Sequence, residues 1–275
     1  MAQRSDPPEV SAALDERLSR DVSPDERMPV DNLDVYFDVG RSALRAIQLA
    51  QELASVSGFT SILDMPCGHG RVARWLRAAY PAARLTACDL LTDGVDYCAR
   101  TFDARPVHST MQPDASMFDD TYDLIFVGSL LTHVDADRWD RFIDLWWALL
   151  RPGGLLIVTT HGDYVAERMR GGELYGYPPL SIERLLRTYA HARFGFLEES
   201  PGSIDYGITV SKPDWVLHRL LRCEGARVVL YSERLWDRHQ DVAAIARPAN
   251  ALSTLAQNNQ RRPRFRLLGG RAAGH

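Results

Sequence analysis

Apolar positions recur along this chain in two alternating periods. Leu44, Ile47, Ala50 and Leu53 repeat at three-residue steps and predict one face of a helix, with Gly58 suited to the position just past its end. The apolar run Ser61–Met65 then predicts a short strand, and Val72, Trp75, Leu76 and Ala79 a helix that stops before Pro81. The alternation continues with the strand RLTACDL (84–90), a helix over Thr92–Phe102, a weaker strand near Arg105–Ser109 and the strongly β-like YDLIFVGS (122–129). Asp135 or Asp137 is placed to cap a helix whose stripe is Trp139, Phe142, Ile143, Trp146, Leu149 and Leu150. Pro152-Gly153-Gly154 breaks that helix and launches LLIVTT. Strands that are apolar throughout, separated by amphipathic helices, predict a parallel sheet covered on both faces. The tryptophan-rich stripe is then core and not a cofactor surface.

The pattern changes after His161. Residues 163–210 contain GGELYGYPPL, a helix from about Ile182 to Tyr189, and an aromatic, glycine-spaced stretch ending in DYGITV. That is too long for a simple connection and predicts a lid or substrate-binding insertion. Ser211 is placed to cap a helix containing Trp215, Leu217, Leu220 and Leu221. Strands Arg227–Tyr231 and Asp241–Ala246, joined by SERLWDRHQ, predict a final antiparallel hairpin. The fold class is therefore α/β: a doubly wound, mostly parallel seven-stranded sheet ending in a hairpin and carrying an inserted lid. The main domain spans 31–247, after a polar, proline-punctuated N-terminal arm over 1–30. Residues 248–275 carry five arginines and no acids, and predict a disordered, solvated tail.

Composition narrows the partners. A net charge of −4 over 275 residues does not favour nucleic acid or an anionic membrane as the main partner. No apolar run approaches the roughly 20 residues needed to span a bilayer. MAQRSDPPEV lacks the apolar core of a secretory signal, so the expected location is cytoplasmic. Cys67, Cys88, Cys98 and Cys223 form no CxxC pair, which fits reduced thiols better than a disulfide framework or zinc knuckle. Oligomeric state is not readable from these features.

The candidate chemistry begins at LDMPCGHGR (63–71). Gly68-His-Gly70-Arg-Val-Ala73 satisfies G-x-G-x-x-G/A, and Asp89 ends the next strand. An NAD(P)-dependent oxidoreductase shows the same two features, because a glycine turn and a ribose-binding acid serve either cofactor. Three others discriminate. Asp64 ends the first strand ahead of the glycines and suits a ligand with a cationic amino group better than a pyrophosphate. The expected terminal hairpin and the helix-to-strand phrase LLRPGGLLIV are the second and third.

On these residues the chain resembles the class I S-adenosylmethionine-dependent methyltransferases, over about 35–247. ILDMPCGHGR is similar to their glycine-rich first motif, TACDL to the acid-ending second strand, and LRPGGLLIVTT to the approach to strand five. The resemblance implies S-adenosyl-L-methionine as cofactor. Gly68 and Gly70 would lie against its amino-acid portion, Asp64 by its amino group and Asp89 on the ribose. Leu90, Ser109 and Ser129, at strand ends, complete the cofactor-binding candidates together with Pro66. Pro66 replaces the motif's first glycine, removing one N–H and fixing φ near −65°, which stiffens the turn. The acid often found after strand three is replaced by His108, Ser109 and Thr110.

Ligands of such sheets bind beyond the carboxyl ends of the parallel strands. GSLLTHV places Thr132 and His133 there, TTHGD places His161 and Asp163, and a parallel sixth strand brings Trp236, Asp237, His239 and Gln240. The histidines lack close helical ligand spacing, so no metal is expected. His133 is the first choice of general base, His161 the second and His239 the third, since a histidine near its ordinary pKa accepts a proton at neutral pH. His69 is better suited to orienting the loop. Tyr175, Tyr177 and Tyr206 suit a lid over a small polar metabolite or saccharide. The expected activity is O-methylation; the alternatives are the NAD(P)-dependent oxidoreductase and a non-catalytic S-adenosylmethionine-binding module.

Overall fold

The computed structural model describes residues 8–28, 32–199 and 206–249. The tail beyond 249 and the rest of the N-terminal arm, including the disorder expected of that tail, lie outside the described residues. Helix α1 (Pro8–Arg17) leads into an extended strap, and α2 (Leu33–Ala54) starts at Asn32, whose side chain accepts hydrogen bonds from the Asp34 and Val35 N–H groups. Leu44, Ile47 and Ala50 are buried as the periodicity demands, but Leu53 is half exposed because it lies in the last turn, past the sheet. The helix ends at Ser55, in the left-handed region at φ 57°, and not at Gly58. Two hydrogen bonds from the ends of that turn hold Ser55 there, so no glycine is required.

Then follow β1 (Ser61–Asp64), α3 (Ala73–Ala79), β2 (Arg84–Asp89), α4 (Thr92–Phe102), β3 (Arg105–His108) and β4 (Tyr122–Val127). Helix α5 (Ala136–Leu149) is capped by Asp135, which accepts from the Arg138 N–H, and β5 is Leu150–Thr160. Trp139 and Trp146 are fully buried, with Ile143 and Leu149 beside them, against one face of the sheet. The α2, α3 and α4 stripes cover the other face.

The segment after β5 folds as α6 (Asp163–Arg170), α7 (Pro179–Ala192), β6 (Phe194–Glu198) and β7 (Gly207–Ser211). Val165, Met169, Ile182, Leu185, Tyr189, Ile208 and Val210 give it a small core of its own. Helix α8 (Pro213–Leu220) starts at Lys212 with Pro213 in its first turn. Ser211, expected as its cap, instead ends β7, where its N–H donates to the His161 carbonyl. Strands β8 (Arg227–Trp236) and β9 (Gln240–Ala246) complete a seven-stranded sheet of order β3-β2-β1-β4-β5-β9-β8. All neighbours are parallel except β9, which runs antiparallel between β5 and β8. The expected terminal hairpin is therefore present, and it is threaded so that β9, not β8, touches β5. This order puts the ends of β1, β2, β4 and β5 and the β8–β9 turn on one rim.

Candidate active site

Asp64 closes β1 at the rim, 1% exposed, and neither carboxylate oxygen has a hydrogen-bond partner. Burial, with Asp89 nearby, holds its carboxyl well above the ordinary aspartate range. A buried, unpaired carboxylate is costly unless something cationic completes it. Asp89 also sits above its ordinary value through burial, but its oxygens are engaged: Oδ2 accepts the Gly68 N–H at 2.7 Å and Oδ1 the Leu91 N–H at 3.0 Å. It thus ties the glycine loop to the start of α4 and keeps lone pairs for further donors.

The loop turns at Gly68 (φ +51°) and Gly70 (φ +84°), and the Met65–Pro66 peptide is cis. A Cβ on Gly68 would meet open space, whereas one on Gly70 would lie 2.2 Å from the Phe102 ring. The first glycine leaves room for a ligand; the second lets the loop sit on α4. Leu90 and Met111 are exposed apolar side chains beyond β2 and β3, and the Ser109 N–H donates to the Asp89 carbonyl. His69 points away from the rim: its buried ring lies 3.2 Å from Asp93 through Nε2 and 4.0 Å from Glu26 through Nδ1.

Sequence reasoning missed the strap. Arg74, fully buried, donates from Nε to the Gly70 carbonyl and from Nη1 to the carbonyls of Ser19 and Asp21. Tyr36 donates to Glu26, and Tyr97 to the Asp21 carbonyl. Residues 18–26 are thereby fastened over the glycine loop by partners about 10 to 76 positions away, for which no local pattern exists.

Past β4, Ser129 adopts φ 63°, a left-handed conformation that costs a non-glycine residue about 1 kcal/mol or more. It is held by a ring of hydrogen bonds. The Ser129 N–H donates to Thr159 Oγ1, Thr159 to Gln240 Oε1, Gln240 Nε2 to Ser129 Oγ, and Thr132 Oγ1 to the Ser129 carbonyl. Asp163 is turned toward the insertion, accepting from Tyr189 and Lys212; despite its partial burial these partners hold it below the usual aspartate value.

The three candidate histidines converge. The His133 and His161 ring centroids are 6.5 Å apart and those of His161 and His239 5.5 Å, with Tyr175 about 6 Å from both of the latter. Tyr206 stacks on His133 at 4.4 Å. Burial lowers the pKa of all three, His161 to about 3, helped there by its two histidine neighbours. His133 Nδ1 lies 2.8 Å from the Gly207 carbonyl, and His161 Nδ1 3.2 Å from that of Thr209. Trp236, in contrast, is buried under the rim, its indole N–H on the Val39 carbonyl.

The sheet is Rossmann-like, with one antiparallel strand threaded beside β5, a glycine loop after β1 and an acid after β2, and residues 62–154 match the family model described as a methyltransferase domain. Among solved structures, the chain is similar to an S-adenosylmethionine-dependent methyltransferase from Clostridium acetobutylicum ATCC 824 (13% identity, 82% of this chain and 96% of that one, TM-score 0.54). It is also similar to the N-methyltransferase NodS from Bradyrhizobium japonicum WM9 in complex with S-adenosyl-l-homocysteine (16%, 86% and 97%, 0.50). A third similarity is to human N-acetylserotonin methyltransferase in complex with SAM (18%, 77% and 52%, 0.50), of which this chain spans about half the length. At these identities the likeness is one of fold. No curated protein matches the chain.

Proposed function

We propose that the chain is an S-adenosylmethionine-dependent methyltransferase that O-methylates a small, polar, hydroxylated acceptor. The observation that carries the cofactor is Asp64, whose two orphaned, buried oxygens face a need that the cofactor's ammonium group meets. Asp89, already fixed by two N–H donors, offers its remaining lone pairs to the ribose hydroxyls. Gly68 supplies close approach, and Leu90, Ser109 and Met111 flank the place for the adenine. Ser129 and the hydrogen bonds around it shape the rim between cofactor and acceptor. The bound cofactor supplies an electrophilic sulfonium methyl.

The protein's part is to place a hydroxyl in line with that methyl and receive its proton. His133 is suited to the second task. Its Nδ1–H is committed to a carbonyl, which accepts only, so its Nε2 carries the lone pair. A general base of this kind contributes about 10²–10⁴ in rate. His161, with a pKa near 3, is a poorer base but a good hydrogen-bond acceptor for orienting the substrate. His239 lines the far side. The described residues of the 163–210 insertion, Tyr175 and Tyr206 among them, lie against these rings, and the insertion serves as the lid of the domain spanning 31–247. Titration calorimetry with S-adenosylhomocysteine tests the reading: micromolar-range binding that NAD(H) does not compete with is expected, and no binding would overturn it.

A further inference from the structure

β7 is bonded on both sides. Its odd-numbered residues direct their N–H groups away from β6: Gly207 donates to the His133 carbonyl, Thr209 to that of Thr132, and Ser211 to that of His161. Side groups recur every second residue on one edge of a strand, so the carbonyls of Gly207 and Thr209 share that edge. They are the two that meet the histidine Nδ1 atoms. A single strand of the insertion therefore fixes both rings, through main chain and side chain at once. Carbonyls cannot donate, so both Nδ1 atoms carry the proton, and both Nε2 atoms are bare acceptors. Among the described residues neither Nε2 has a partner.

The two rings thus present two acceptors, with the buried, unpartnered Tyr175 hydroxyl as a donor beside His161. Neither ring offers a donor to a carboxylate or phosphate, and a lone hydroxyl satisfies one ring and leaves the other unpaired. Ring centroids 6.5 Å apart, with hydrogen bonds of about 2.8 Å from each ring, allow the two donor oxygens to be close neighbours. Resting on the methyltransferase reading, we propose that the methyl acceptor is a vicinal diol, one hydroxyl donating to His133 Nε2 and the adjacent one to His161 Nε2. In the transfer, the first oxygen bonds to the methyl carbon as the sulfonium carbon–sulfur bond breaks with its electron pair going to sulfur. The hydroxyl proton passes to His133 and then to water. The second hydroxyl is not consumed; it sets the orientation. A site built to bond a hydroxyl discriminates strongly against the analogue that lacks it.

The test uses the full chain with labelled S-adenosylmethionine, after S-adenosylhomocysteine binding has been measured. Catechol is compared with phenol and resorcinol, and a methyl hexopyranoside with its monodeoxy counterpart, the two arms separating an aromatic from a sugar diol. At least one diol should exceed its mono-hydroxy partner at least tenfold in kcat/KM, and His161→Phe should shrink that ratio to within threefold. Nitrogen NMR of the wild-type histidines should show the Nδ1–H tautomer at both rings. If the homologue binds but no diol gains tenfold, turnover of none included, the diol assignment fails and the cofactor reading stands. An Nε2–H tautomer at either ring also overturns it. Failure of S-adenosylhomocysteine to bind instead overturns the reading beneath.

Discussion

Replacing Asp64 by Asn removes the charge but not the shape, and its effects on stability and affinity should have opposite signs. In the protein alone the carboxylate is buried with both oxygens unpaired, a penalty of about 1–3 kcal/mol. Asn relieves the charged part of it. Taking roughly 2 kcal/mol, and about 2–4 °C per kcal/mol for a chain of this size, the melting temperature should rise by roughly 4–8 °C at pH 7. With ligand present, the same charge faces a cation in a buried setting, where truncating one partner costs about 2 kcal/mol or more. That is roughly a thirtyfold loss of S-adenosylhomocysteine affinity. The pH dependence follows from the raised pKa: stability from this group is fullest below the unfolded aspartate value and is lost as pH rises toward the folded one. The variant should lose that slope. Scanning calorimetry and titration calorimetry on the same preparations provide both readouts. An Asn variant that melts lower, or binds the homologue as tightly as wild type, would refute the assignment of Asp64 to an ammonium group.

Four further outcomes are expected. His133→Ala should cut kcat about 10²–10⁴-fold with S-adenosylhomocysteine affinity unchanged within twofold, and since burial lowers its pKa, wild-type kcat/KM should hold below pH 6.5 before falling; a drop already complete at pH 6.5 places the base elsewhere. Asp241, fully buried and pushed up to about 6 by burial, favours the folded state most below about pH 4 and loses that contribution through pH 6. Urea titrations of Asp241→Asn across that window should give a flatter curve than wild type, by about 3 kcal/mol in total. Gly70→Ala, with φ +84° and a Cβ 2.2 Å from Phe102, should cost about 2–4 kcal/mol, and Phe102→Leu in the same chain should restore part of it in a denaturant melt. Arg74→Met should make residues 18–28 cleavable by trypsin or chymotrypsin under native conditions, where the wild-type strap resists.

Legibility in the sequence followed the range of the interactions. The helix over Thr92–Phe102 and the burial of Trp139 and Trp146 were readable because periodicity is local and core contact follows from it. The mostly parallel sheet and its final hairpin were readable from the fully apolar strands, whereas the strand order, with β9 between β5 and β8, rests on pairings far apart in sequence. Ends of elements were less so: Gly58 and Ser211 have the right chemistry for caps, yet Ser55 takes the first place through hydrogen bonds to Gln51 and Glu52 at the helix's own end, and Lys212 the second, its N–H on the distant Arg193 carbonyl. The site shows the same division. That His133, His161 and His239 share a rim follows from strand ends, but the carbonyls that fix the tautomers of the first two, Gly207 and Thr209, lie 48 to 74 residues away. Arg74 reads as one more position in a short helix until Ser19 and Asp21 are seen to fold back onto it.

Because β9 descends between β5 and β8, it carries the chain away from the rim and finishes at the opposite pole. Arg247 there exchanges hydrogen bonds with Gly153 and Gly154 at the foot of β5. The strap, by contrast, lies against the glycine loop. The molecule therefore has a working end and a handle. A surface coupled at the Arg247 pole holds it with the rim facing outward, whereas coupling at the strap crowds the mouth.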